Sequence, residues 1–377
     1  MVIYRKYRPR SFSEVTGQEH VVTTLQNALR LNRIGHAYLF AGPRGTGKTT
    51  LARIFAKAVN CTSLKPPPTP PPREGEGKGG GVVEPCNACA NCADVNEGRA
   101  LDLIEIDAAS HRGIDEVRDL REGIKFAPVK AKYKVFVIDE AHQLTGPAFN
   151  ALLKTLEEPP AHAMFILATT EPEKMLSTIL SRVMRFDFRR LTPREILSRL
   201  QTLVAKEGQT LLPEAYQLIV AEAEGSLRDA ESMLEKILSL GEENSIEAIE
   251  RALGAVSFPK IQAIAAATLE QKPKEAIALL HRLVEQGGGE PRVILKNLIQ
   301  YFRKALLAGV MPEFRETQNH ELTQEQFQIV LAHATKNPQP TLLRAIEKLL
   351  WADQAMRWSP YPIIPLEMAI IEIATTA

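Results

Sequence analysis

In the first 190 residues short apolar runs alternate with amphipathic stretches, and beyond residue 191 only amphipathic stretches remain. Helical spacing covers residues 18–31. Leu39-Phe40-Ala41 then closes a short buried run ahead of a glycine-rich turn and a second helical pattern over 50–59. Strands are predicted over 103–107, 134–138 and 164–169, with a last short one over 183–188, and helices over 114–124 and 149–156. The second of these helices stops at Glu157-Glu158-Pro159-Pro160, because proline pushes the residue before it out of helical backbone. Strands alternating with helices predict a parallel sheet covered on both faces. Residues 192–254 read as a small helical bundle and 255–377 as a further all-helical domain. The latter has an apolar face at Ile294, Leu298, Tyr301, Phe302 and Leu306, available either as core or as a surface for neighbouring subunits.

A chain of 377 residues can fold two or three such units. Its formal net charge of +1 excludes a simple polybasic binder, so a nucleic-acid partner would need local basic surface or surface assembled from several chains. The start, Met1 to Arg8, lacks the apolar core of a secretory signal, and no run is long and apolar enough to span a bilayer. The expected location is the cytosol, where four cysteines serve as thiolate ligands more readily than as disulfides.

The candidate chemistry centres on the turn after the first apolar run, which has the spacing Gly-x-x-x-x-Gly-Lys-Thr. Gly42, Gly45 and Gly47 let a loop wind around a triphosphate with its N–H groups inward, and the helix behind it points its positive end at the same anion. The phosphate-binding set is therefore Gly42, Pro43, Arg44, Gly45, Thr46, Gly47, Lys48, Thr49 and Thr50. Lys48 would reach the β- and γ-phosphates of ATP, and the Thr49 hydroxyl would hold Mg²⁺. Four apolar residues from Val135 run into Asp139-Glu140, at the strand end where open parallel sheets bind ligands. Asp139 would bind Mg²⁺ through its water shell, and Glu140 would orient and deprotonate the attacking water. A threonine hydroxyl at Thr169 or Thr170 could contact the γ-phosphate or that water. The tetrapeptide Asp139-Glu140-Ala141-His142 invites a helicase reading, yet no second strand-bearing lobe comes after residue 190 to complete one.

Upstream, a basic-aromatic arm runs from Tyr4 to Pro9 and on to Val15-Thr16. It can be a solvated tail, a nucleic-acid clamp, or a wrap around the adenine by Tyr7, Arg8, Pro9, Val15 and Thr16. Downstream, residues 61–92 read as an insertion whose Pro- and Gly-rich part, 64–85, has little to bury and is expected to be a mobile loop. Cys61, Cys86, Cys89 and Cys92 supply the four sulfurs of a closed structural zinc site. A redox pair and an iron–sulfur cluster are the alternatives.

Several of these stretches together resemble one family. They include Gly17-Gln18-Glu19-His20, His36-Ala37-Tyr38-Leu39-Phe40, the four cysteines, Ile104 to Ser110, Asn150 to Pro160, and Gly225-Ser226-Leu227-Arg228-Asp229-Ala230. The chain is similar to the gamma/tau ATPase subunits of the bacterial DNA polymerase III clamp loader. The resemblance implies an AAA+ fold: an α/β ATPase domain with a zinc module over 1–191, a helical lid over 192–254, and an all-α collar over 255–377. It implies that Thr170 is sensor 1, that Arg228 is sensor 2, and that Arg182 is an arginine finger acting on the ATP of an adjacent subunit. The family usually has Ser-Arg-Cys where this chain has Ser181-Arg182-Val183, a departure that spares the arginine. His111, Arg112, Arg118 and Arg121 fall where the family faces DNA, although a solvated basic helix face would look the same. The implied partners are delta, delta-prime and further gamma/tau subunits, the sliding clamp, and primer–template DNA through its backbone, with no membrane. A non-hydrolysing subunit resembling delta-prime, or a branch-migration motor, is the rival reading.

Overall fold

The computed structural model describes residues 2–64, 83–110, 122–241, 245–285, 289–311 and 322–375. His111, Arg112, Arg118 and Arg121, and most of the 64–85 loop, lie outside the described residues. The described chain forms two compact units. One comprises Met1–Leu191 with Gly225–Asp229, the other Thr192–Glu224 with Ala230–Ala377.

The first unit is built on a five-stranded, all-parallel sheet. Its strands are β1 (Ala37–Ala41), β2 (Leu103–Asp107), β3 (Lys134–Asp139), β4 (Ala163–Thr169) and β5 (Met184–Asp187), in spatial order β2-β3-β4-β1-β5. Every residue of β1 and β4 is buried, which is why the central strands read as unbroken apolar runs, while the edge strands β2 and β5 are partly exposed. Alternate side chains divide between two faces. Tyr38, Phe40, Val135, Val137 and Ile166 pack beneath α2 (Glu19–Arg30) and α3 (Lys48–Val59). On the opposite face, Leu39, Phe136, Ile138, Phe165 and Leu167 pack beneath α5 (Gly146–Glu157) and α6 (Ser177–Leu180). Short helices also described in this unit include α1 (Ile3–Lys6) in the arm and α4 (Ala90–Glu97) in the four-cysteine segment. A parallel sheet with helices on both faces and a phosphate-loop turn after β1 agrees with the α/β ATPase domain that the resemblance implies.

Because β4 lies between β3 and β1, their carboxyl ends are adjacent, and the residues just past each strand meet at one rim. Pairing Ala41 with Thr169 and Ile138 with Leu167 brings Gly42, Asp139 and Thr170 together there, although they are far apart in sequence. The α3 helix begins at Lys48, two residues before the predicted start, so the motif lysine and threonine occupy its first turn.

The described residues of the second unit form helices and their connections, with no strand among them. A capping box, with Thr192 and Glu195 satisfying each other's backbone N–H groups, starts α7 (Pro193–Lys206). The helices α8 (Pro213–Glu222), α9 (Leu227–Leu238) and α10 (Ile246–Leu253) come after it, α9 starting within the first unit's Gly225–Asp229 segment. Six more come next among the described residues: α11 (Phe258–Leu269), α12 (Pro273–Glu285), α13 (Pro291–Val310), α14 (Gln324–Lys336), α15 (Gln339–Met356) and α16 (Ile363–Thr375). Ile294, Leu298, Tyr301 and Phe302 are buried here and Leu306 packs against them, so this apolar face is core. No single helix among the described residues is long and apolar enough to cross a membrane.

Ahead of β2, the buried Asp102 carboxylate accepts N–H groups from Val129, Lys130 and Ala131 at 2.7, 2.8 and 2.9 Å, pinning the loop that leads into β3. Burial alone would raise this carboxyl, but the three donors outweigh it and leave it below the usual carboxylate range. A depressed folded-state value contributes stability that is present above the ordinary carboxylate pKa and is lost as pH falls through the folded one. Asp102→Asn should therefore lower unfolding stability at pH 7 by about 1.5–3 kcal/mol. The loss should shrink in urea titrations at pH 3; an equal loss at both pH values would remove the charge from the explanation.

Candidate nucleotide site and four-cysteine cluster

The loop Gly42–Gly47 depends on backbone that side chains would obstruct. Gly42 has φ 147°, and a Cβ there would lie 2.4 Å from the Phe188 carbonyl oxygen. At Gly45, φ is 75° and a Cβ would fall 2.0 Å from Ser226 Oγ, because Gly225–Asp229 packs directly on the loop. The Leu227 N–H donates to the Gly45 carbonyl at 3.1 Å, and Asp229 N–H to Ser226 Oγ at 3.3 Å. That contact presents Arg228 to the same rim. Its guanidinium lies 5.1 Å from the centre of the Tyr4 ring, and hydrogen bonding to Arg228 and then Arg5 lowers the Tyr4 phenol below the usual tyrosine range.

Lys48 is buried, its Nζ donating to the Gly42 and Pro43 carbonyls at 2.7 and 2.8 Å. Burial pushes its ammonium below the usual lysine range, with Glu140 and Asp139 pulling the other way. The Thr49 hydroxyl donates to Asp139 Oδ2 at 2.7 Å, so the two residues expected to hold Mg²⁺ already touch. A hydroxyl and a carboxylate are the hard oxygen donors that this ion takes, and they fit it. The Thr170 hydroxyl donates to Glu140 Oε2 at 2.9 Å, joining the two residues expected to handle the attacking water. Glu140 adopts left-handed backbone, φ 46°, rare for a residue with a side chain and costing about 1–3 kcal/mol. Beside it, buried His142 hydrogen-bonds Thr169 Oγ1 at 2.9 Å and approaches Glu171 at 3.2 Å, tying the ends of β3 and β4 together.

The arm lies nearby. Arg8 is disfavoured as a cation by burial and by Arg53, with Arg228 and Arg5 adding to the effect and Glu105 offsetting it. Guanidinium groups gathered this way favour an anion. Tyr7, Arg8 and Pro9 are half-buried, as are Val15, Thr16, Pro43 and Thr50, while Thr46 is buried and Arg44 exposed. Arg182 stands apart, its Nη2 donating to Glu157 Oε1 at 2.7 Å and its Nη1 to the Thr178 carbonyl at 2.6 Å. A half-exposed pair of this kind is worth under about 1 kcal/mol, too little to lock the side chain in place.

Two contacts of the site could not be assigned from the sequence pattern. The fully buried Gln18 amide donates to the Arg189 carbonyl at 2.8 Å and accepts the Arg189 N–H at 3.2 Å, bonding the end of β5 to the start of α2. Tyr4 looks like any other aromatic residue of the arm. Gln18 belongs to the Gly17-Gln18-Glu19-His20 run and Tyr4 to the basic-aromatic arm, but neither pattern names the partner the side chain finds.

The sulfurs of Cys61, Cys86, Cys89 and Cys92 lie within 4.8 Å of one another. Cys86 and Cys92 are 3.8 Å apart, too far for a disulfide and equal to the edge of a tetrahedron with metal–sulfur bonds of about 2.3 Å. The Ala88 and Cys89 N–H groups donate to Cys86 Sγ and hold that thiol below its usual range. Four converging sulfurs with amide donors fit zinc, with every ligand position filled.

With this geometry established, comparison with known proteins gives the family. A model described as DNA polymerase III, delta subunit, matches residues 17–192, and one described as DNA polymerase III subunits gamma and tau domain III matches residues 245–377. DNA polymerase III subunit tau of Bacillus subtilis is 42% identical over 378 residues, covering 100% of this chain and 63% of its own length. The gamma/tau subunit of Mycobacterium bovis is 37% identical, covering 98% of this chain and 61% of that protein. DNA polymerase III subunit gamma of Buchnera aphidicola is 37% identical over 83% of this chain and 80% of its own length. The chain belongs to the DNA polymerase III gamma/tau family. It spans somewhat under two thirds of the B. subtilis and M. bovis relatives.

Purified protein should carry one zinc per chain by elemental analysis, and its four thiols should resist a thiol reagent until the metal is chelated. Metal-free protein with four freely reacting thiols would rule the zinc assignment out.

Proposed function

We propose that the chain is the ATP-hydrolysing subunit of a clamp loader, using ATP to open the sliding clamp and place it on primed DNA. The contact that carries this reading is Thr49 on Asp139, a phosphate-loop hydroxyl fixed against an acidic strand end. ATP would lie along Gly42–Thr50 with its base toward Tyr7, Arg8, Pro9, Val15 and Thr16. Thr49 and Asp139 would hold Mg²⁺, which neutralises charge developing across the β- and γ-phosphates. Lys48 would exchange the Gly42 and Pro43 carbonyls for phosphate oxygens. Glu140, oriented by Thr170, would accept the proton of the attacking water, while Arg228 reaches the γ-phosphate from the lid residues.

Arg182 would leave Glu157 to complete the site of the adjacent subunit. Such a finger is worth about 10³–10⁵ in rate, so hydrolysis would depend on neighbour geometry. Helices over 192–254 would serve as the lid and those over 255–377 as the collar. Trp358 and Tyr361, in the turn between α15 and α16, and Ile364, Met368 and Ile371, on α16, are exposed and suit subunit packing. Partners would be delta, delta-prime and further gamma/tau chains, the clamp and the primer–template backbone, with His111, Arg112, Arg118 and Arg121 meeting phosphates. Zinc at the four cysteines would hold that module's fold and take no part in chemistry. The setting would be the cytoplasm, at replication forks on the nucleoid.

ATPase rates of the isolated chain and of its mixture with the other loader subunits, clamp and primed DNA test this. Weak basal turnover should rise strongly only in the full mixture, and Lys48→Ala should abolish the rise. Losing a charge-assisted hydrogen bond of about 1.5–3 kcal/mol should weaken ATP binding roughly 10- to 100-fold. Unchanged turnover with Lys48→Ala would leave a structural subunit as the better reading.

A further inference from the structure

Between the four-cysteine segment and the arm lies a set of contacts that neither metal binding nor nucleotide chemistry requires. Lys57 sits on the last turns of α3, the helix that begins with the phosphate-binding Lys48-Thr49. Its side chain is 2% exposed, and its Nζ has three acceptors: the Arg10 carbonyl at 2.5 Å, Asn87 Oδ1 at 2.5 Å and Asn96 Oδ1 at 2.8 Å. Arg10 belongs to the arm. Asn87 lies between Cys86 and Cys89 in left-handed backbone, φ 57°, and Asn96 is on α4 just beyond Cys92.

A second bridge runs parallel to the first. The Glu84 carboxylate, two residues before Cys86, accepts the Phe12 N–H at 2.7 Å and the Ser13 N–H at 2.8 Å, one on each oxygen. Beside it the Gln26 amide donates to the Val83 carbonyl at 3.2 Å. A buried ammonium left without acceptors is costly, and a carboxylate joined to two backbone N–H groups is a strong, directional pair of bonds. Both charges therefore fix the arm's path at residues 10–13, midway between its Tyr4–Arg8 part and Val15-Thr16. The arm carries Tyr4 onto Arg228 and Arg8 toward Arg53.

We propose that Lys57 and Glu84 are positioning residues that hold the N-terminal arm against the four-cysteine segment, so that the folded segment sets the arm's place beside the nucleotide. This rests on the reading that the arm flanks ATP. The cysteine module then acts on nucleotide affinity at a distance, through the arm. Its metal has no part in the chemistry, yet its loss loosens the grip on ATP.

The experiment combines two readouts on the full chain: titration with a fluorescent ATP analogue, and amide hydrogen exchange of peptides covering 2–16 and 134–139. Glu84→Ala should raise the dissociation constant at least fivefold and speed exchange in 2–16, leaving 134–139 and the zinc content as in wild type. Glu84→Asp should recover part of the affinity. Lys57→Met, which keeps the buried stem and loses all three hydrogen bonds, should act in the same direction, and so should removal of zinc by a chelator. A dissociation constant within twofold of wild type, with arm exchange unchanged, overturns the proposal. Faster exchange in 134–139 as well as in the arm also overturns it, since the two residues would then stabilise the fold at large. Failure of wild-type protein to bind the analogue would strike the nucleotide reading instead, and arm exchange in the variants would still decide whether the clasp exists.

Discussion

The hydroxyl of Thr49 against the carboxylate of Asp139, at 2.7 Å, is the constraint on which the site depends. One residue is the second of α3, the other the last of β3, and 90 positions separate them. They meet because β4 is inserted between β1 and β3, and because parallel pairing in register delivers all three carboxyl ends to one rim. Apolar burial on both faces of the sheet fixes that register, since a slip of one residue would turn each strand's core side chains to the wrong face. Packing thus brings together the hydroxyl and carboxylate that the proposed phosphate chemistry needs.

On the proposed reading, the residues around that contact divide between gripping a nucleotide and breaking it. The glycine loop, Lys48 and the arm offer donors and guanidinium groups to an anion from within the chain. Glu140 is held by Thr170 in strained left-handed backbone, with His142 bracing the adjacent strand ends. Arg182 is held elsewhere by a weak pair with Glu157. On the same reading, an Arg182 held outside its own cleft by so weak a pair would suit turnover gated by a neighbour.

The sequence made the strand order's ingredients and the loop legible because those signals are local: glycines at fixed offsets, an apolar run ending in two acids, cysteines at x-x spacing. Strand limits agree to within two residues, and α5 starts three residues earlier than expected because Pro147, preset for helix, comes directly after Thr145-Gly146. The hidden part depends on which distant partner a polar side chain finds. Gln18 reaches Arg189 across 171 positions, Lys57 reaches Asn96 across 39, and Tyr4 meets Arg228 only after the chain returns from α8. Buried polar groups must be satisfied, yet no periodicity says by whom. The apolar face around Leu298 was ambiguous for the same reason, since core and interface share one pattern until burial is seen.

The most direct measurement is ATP affinity with and without Mg²⁺ for wild-type protein and for Thr49→Val, which keeps the side chain's shape and removes its hydroxyl. If Thr49 and Asp139 hold the ion at a triphosphate, wild type should bind at least tenfold more tightly with Mg²⁺ and the variant should lose most of that gain. Equal Mg²⁺ dependence in the two proteins would contradict the account.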